Sequence, residues 1–90
     1  MREEKSDGYI LGRLIERSRL LIAISEEIPV ETKLQAQPML KQLEALLAAP
    51  PEDLDGHRIH ATYGALCGEL EDYADLEALL SAMRHFLPAR

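Results

Sequence analysis

Apolar residues in this chain recur at alternating steps of four and three, and no run of alternating polar and apolar β-branched residues is long enough to read as a strand. That period belongs to helices with one buried face each. The fold class read from it is all-α, and each helix needs its apolar face covered. Area scaling lets a chain of 90 residues bury about 64% of its unfolded surface, which is room for one small core. The expected architecture is therefore a single helical domain over residues 1–90, a small compact bundle of four helices arranged as two hairpins. Residues 1–6 read as an N-terminal tail and 50–56 as the linker between hairpins.

The first helix is expected over about 8–27, with Asp7 available as its cap. Ile10, Leu14, Leu21, Ile24 and Ile28 form its main stripe, broken by Arg17, and Leu11, Ile15 and Ile22 form a second stripe beside it. Pro29 ends that pattern. The next runs from about Glu31 through Leu34, Ala36, Leu40, Leu43, Leu46 and Leu47, interrupted by Pro38. A proline there lacks an amide and clashes with the preceding turn, so the segment either kinks or divides into 31–36 and a fifth helix from about Gln37. After the turn-prone linker, Ile59, Tyr63, Leu66, Leu70 and Tyr73 mark a helix over about 57–72. A last one is expected over about 75–87, with Asp72 or Asp75 as its cap and Leu76, Leu79, Leu80, Met83, Phe86 and Leu87 as its apolar face.

Aromatic residues make up 4% of the chain, so Leu, Ile and Ala must fill the core. A net charge of −6 argues against non-specific binding to nucleic acid or to an anionic membrane. The longest strongly apolar stretch, Leu20 to Ile24, is far short of the ~20 residues of a membrane-spanning helix. The first residues, Met1-Arg2-Glu3-Glu4-Lys5, carry acids where a secretory signal has a basic start and an apolar stretch, and the single Cys67 excludes an intramolecular disulfide. The expectation is a cytoplasmic protein with no membrane partner.

No phosphate loop, serine elbow or dinucleotide fingerprint is present, and no cofactor is expected. His57, His60 and Cys67 share one helix, but tetrahedral metal sites normally draw ligands from two elements, and His85 is the remaining histidine. The plainer reading places His57 and His60 in an exposed first turn and Cys67 in the core margin as a small apolar residue. A nucleophilic Cys67 would need an electropositive setting, whereas Glu69, Glu71 and Asp72 surround it in sequence. The chain is read as a non-enzyme.

Two features point toward partners. Gly64 and Gly68 sit inside the third helix, each at about 1 kcal/mol against Ala, and with Ala61 they form a strip of small residues. Either they allow a tight internal crossing against Gly12 of the first helix, or they form a groove for a partner helix or a second copy of the chain. Charge is the other. Residues 51–77 hold eight acids against the single base Arg58, while residues 1–50 are nearly balanced. Glu69, Glu71, Asp72, Asp75 and Glu77 are therefore candidates for an acidic face toward a basic partner surface, unless they serve as caps and solvated surface. Arg17 falls in the gap of an apolar stripe, either paired with an acid or lying at the edge with its head in water.

The segment Tyr9-Ile10-Leu11-Gly12-Arg13-Leu14 resembles a short stretch near the C-terminal part of the large subunit of type I-C CRISPR effectors, a helical region that can also be made separately as a small subunit. The resemblance covers those six residues. It implies a helical subunit lining a bound nucleic acid, which would require Arg13, Arg17 and Arg19 to contact phosphates. The leading expectation from the residues themselves is a helical protein–protein interaction module, binding a protein partner or forming a homodimer, with no direct binding of nucleic acid. Its alternative is an acidic inhibitor that mimics nucleic acid and blocks the channel of a target complex.

Overall fold

The computed structural model describes residues 7–89. Four α-helices follow one another with no strand among the described residues: α1 Asp7–Ile24, α2 Val30–Leu47, α3 Gly56–Leu70 and α4 Ala74–Arg84. A single 3₁₀ turn, Pro51–Asp53, sits in the linker expected between the hairpins. The helices close a ring in which α1 packs against α2 and α4, and α3 packs against the same two. The result is a flattened bundle with extents of 42 × 31 × 17 Å.

One core runs through all four helices. Leu11, Ile15 and Ile22 enter it from α1, Ala36, Leu40 and Leu43 from α2, Ile59, Tyr63, Leu66 and Leu70 from α3, and Leu76, Leu80 and Met83 from α4. On α1 this is the secondary stripe of the sequence pattern. The expected main stripe is only partly buried: Ile28 enters the core just after α1, Ile10, Leu14 and Leu21 are half-buried, and Ile24 is exposed. Ser18 explains the choice. It continues the Leu11–Ile15–Ile22 stripe, is fully buried, and its hydroxyl donates to the Leu14 carbonyl at 2.9 Å, so a small polar residue passes through the core without an unmet hydrogen bond. Arg17, in the gap of the other stripe, is exposed.

Pro38 does not divide α2, and there is no fifth α-helix among the described residues. Its ring is on the exposed side, where the carbonyl of Leu34, which loses its helical donor, also lies within reach of water. Several ends differ by a few residues from the sequence pattern. The first helix stops at Ile24 rather than near 27, and the last stops at Arg84, leaving Phe86 and Leu87 half-buried in the turn that follows. Asp55 caps α3 by accepting from the Arg58 amide at 3.2 Å. Neither Asp72 nor Asp75 caps α4: Tyr73 holds the capping position and makes no side-chain cap, while Asp75 and Glu77 lie in the first helical turn, where acids favour the positive end of the helix dipole. The cap expected of Asp7 lies outside the described side chains.

The expected internal crossing of Gly64 and Gly68 against Gly12 is absent. α1 and α3 lie on the diagonal of the ring and do not meet, and a methyl group added at any of the three glycines would reach nothing within 4 Å. The helices that do touch α3 meet it through Ile59, Tyr63, Leu66 and Leu70 instead, which leaves Ala61, Gly64 and Gly68 exposed.

Candidate docking surface

The α1–α2 hairpin is pinned by polar contacts across its seam. Lys33 Nζ donates to the Ala23 carbonyl at 3.2 Å, Gln37 Nε2 donates to the Arg19 carbonyl at 3.3 Å, and the Arg19 guanidinium meets the Glu44 carboxylate at 3.5 Å. The Lys33 and Gln37 side chains of α2 thus reach the α1 backbone at Ala23 and Arg19, while the Arg19 guanidinium reaches Glu44, two turns further along the antiparallel α2. One residue back from the seam on either helix, side chains turn into the core, as Ser18, Ile22 and Ala36 do. One residue forward, they turn to the opposite, outer side of the hairpin. Leu20, Ile24 and Leu34 occupy those forward positions, and Val30 lies one turn before Leu34.

All four are open to solvent, with 61% of Leu20, 66% of Ile24, 67% of Val30 and 69% of Leu34 exposed. A lone exposed leucine needs no explanation, but four branched aliphatic side chains within two turns of paired helices form a patch. A groove of about 580 Å³ runs beside the patch along α1, lined in part by Arg13, Arg17, Leu20, Ala23 and Gln37. Sequence reading counted Leu20, Ile24 and Leu34 among buried or apolar positions. The signal that separates them is the seam, which depends on Lys33 and Gln37 reaching across to α1.

The acidic candidates lie elsewhere. Glu69, Glu71, Asp72, Asp75 and Glu77 flank the α3–α4 turn; all five are exposed, and none forms an ion pair among the described residues. Arg13 and Arg17 are exposed on α1, on the other hairpin. Gly68, Glu71, Glu77 and Arg84 line a shallow cleft of about 220 Å³ with Tyr63 and Cys67, so the glycine strip and the acids meet at one margin.

The histidines do not assemble a site. His57 is exposed, but His60 is half-buried rather than free in the first turn, because its Nε2–H donates to the Pro88 carbonyl at 2.7 Å. Among the described residues no three His, Cys, Asp or Glu side chains converge as metal ligands do. Cys67 is half-buried against the core margin. No described helix is long and apolar enough to cross a membrane. Set against known proteins, the chain matches no family model, no curated sequence and no solved structure.

Proposed function

We propose that this protein is a non-enzymatic docking module whose binding face is the outer side of the α1–α2 hairpin. The observation that carries this reading is the exposure of Leu20, Ile24, Val30 and Leu34 on the packed α1–α2 pair. Full burial of a Leu, Ile or Val side chain stabilises by about 1.5–3 kcal/mol. Covering the exposed two-thirds of four such side chains would then contribute about 4–8 kcal/mol gross, near the lower end of what association costs. The patch alone gives weak binding, and the charged rim has to supply specificity.

The test is a photo-activated cross-linker placed at Leu34 and expressed in the source cell, with the same group at the exposed Ala78 of α4 as the comparison. A discrete adduct from position 34 and none from position 78 is the expected result. No adduct from position 34 ends the reading.

An acidic inhibitor that occupies a basic nucleic-acid channel is a second reading, supported by five exposed carboxylates around the α3–α4 turn, none of which forms an ion pair among the described residues. The two differ in salt dependence. Docking through Leu20 and Leu34 weakens little as charge is screened, whereas a nucleic-acid mimic loses affinity steeply. A subunit of a nucleoprotein complex would instead present Arg13 and Arg17 to phosphates, with Arg19 already engaged by Glu44.

A further inference from the structure

We infer that a groove at the C-terminal end of α2 binds a small alkylammonium ion, with the aliphatic chain along the groove and the ammonium at Glu44. The site shares no residue with the outer patch of Leu20, Ile24, Val30 and Leu34, and it stands whether or not that patch docks a partner.

The groove holds about 420 Å³ between the start of α1, the end of α2 and the turn after α4, within the range of small-molecule sites. Leu11, Ile15, Leu47, Leu54, Phe86 and Leu87 give it an apolar wall. Gly12 also lines it, and a methyl group added there would reach nothing within 4 Å, so the space beside α1 exists because this position carries no side chain. The wall on the α4 side is tied down, since Pro88 lines the groove too and its carbonyl accepts from His60 at 2.7 Å.

The polar features of the groove all have one sign. Among the described residues that line it, Glu44 is the one that carries charge. Leu47 lies three residues on, on the same face of α2, where the negative end of the helix dipole falls and where the last turn holds no basic residue. The amides that would close on the Leu47 carbonyl belong to Pro50 and Pro51, which have none, so that acceptor has no donor from the chain that follows the helix. Arg19 meets Glu44 through a single contact at 3.5 Å between half-exposed side chains, which engages only the Oε1 oxygen. An ammonium ion complements the carboxylate and the helix end while its alkyl chain covers the apolar wall, whereas an anion of the same shape meets like charge.

The test is a methyl-resolved NMR titration of the full chain with n-hexylammonium, n-hexanol and hexanoate. Hexylammonium should shift the Leu11, Leu47 and Leu54 methyls saturably, with a Kd below about 1 mM, and bind at least about tenfold more tightly than hexanoate. Glu44→Gln should bring hexylammonium to within about threefold of hexanol, because it removes the charge and keeps the shape. Gly12→Leu should weaken hexylammonium and hexanol alike by at least about tenfold, while Gly64→Leu, which also extends into open space but lies outside the groove, should bind as wild type does. Hexanoate binding as tightly as hexylammonium overturns the inference, as does binding that survives Gly12→Leu. Shifts centred on Leu20 and Leu34, or no saturation by about 10 mM hexylammonium, overturn it equally.

Discussion

Tyr63 donates its hydroxyl to the backbone carbonyl of Leu80, tying α3 to α4 through the core, where these two helices are the least engaged of the four packed pairs. Burial, with the Cys67 thiol beside it, raises the Tyr63 phenol above its ordinary value of 10.0, and the Arg84 guanidinium draws it part of the way back.

Tyr63→Phe keeps the ring and removes the donor, so it should cost about 1 kcal/mol, or roughly 4–8 °C in melting midpoint for a domain this size. The sign of the pH effect follows from the raised pKa. The folded state holds the phenolic proton more tightly than the unfolded chain, so this contribution is complete below about pH 10 and is lost as pH rises through the folded-state value. Thermal melts from about pH 8 to pH 11 should show a steeper alkaline decline in wild type than in Tyr63→Phe. Parallel curves would remove the linkage.

Gly64→Ala and Gly68→Ala should each stabilise the protein by about 0.5–1 kcal/mol, because the added methyl meets open space and neither glycine has a positive φ. Denaturant midpoints check this. A loss of stability in either variant would mean that the strip is covered by something in the folded protein.

The chain's hydrophobic period is enough to find four helices and most of the core, because Ile59, Tyr63, Leu66 and Leu70 have no competing stripe on α3, but it does not show that α3 packs more closely on α2 than on α4. α1 is different. Two adjacent stripes satisfy the same period there, and the choice between them rests on Ser18, whose hydroxyl is absorbed by the Leu14 carbonyl and so counts as a core residue. Periodicity scores a serine as polar and steers the face toward Ile24. The outer patch was hidden for the same reason: Leu34 fits a helical apolar pattern equally well whether α3 or solvent lies beyond it. Gly64 and Gly68 misled in another way, since their cost in a helix invites a close neighbour that α1, on the diagonal, cannot supply.

His60→Ala should release the C-terminal turn, since the Nε2–H to Pro88 carbonyl bond is what ties the residues after α4 back to α3. Amide exchange at Phe86, whose N–H donates to the Met83 carbonyl at 2.9 Å, should accelerate at least tenfold while exchange in α2 stays the same. Unchanged protection would show that the half-buried Phe86 and Leu87 side chains hold the turn by themselves.

Reversing Glu69, Asp72 and Asp75 to Lys separates the two binding readings. The hairpin face predicts partner affinity within about threefold of wild type, with a stability cost of about 0.3–1 kcal/mol from the lost acid in the first turn of α4. A nucleic-acid mimic predicts at least a tenfold loss at low salt, about 1.4 kcal/mol or more. Titrations at low and moderate ionic strength give both numbers.

Contact on the outer side of the α1–α2 hairpin, and not on the acidic turn, is what distinguishes the docking module from the nucleic-acid mimic. Methyl-resolved NMR tests it most directly, following Leu, Ile and Val signals as the protein is concentrated or as a cross-linked partner is added back. Shifts are expected to be confined to Leu20, Ile24, Val30 and Leu34, with the core methyls of Ile59 and Leu66 unmoved. Shifts centred instead on Leu70 and Leu76, which bracket the acidic turn, or four outer methyls that never respond, would contradict it.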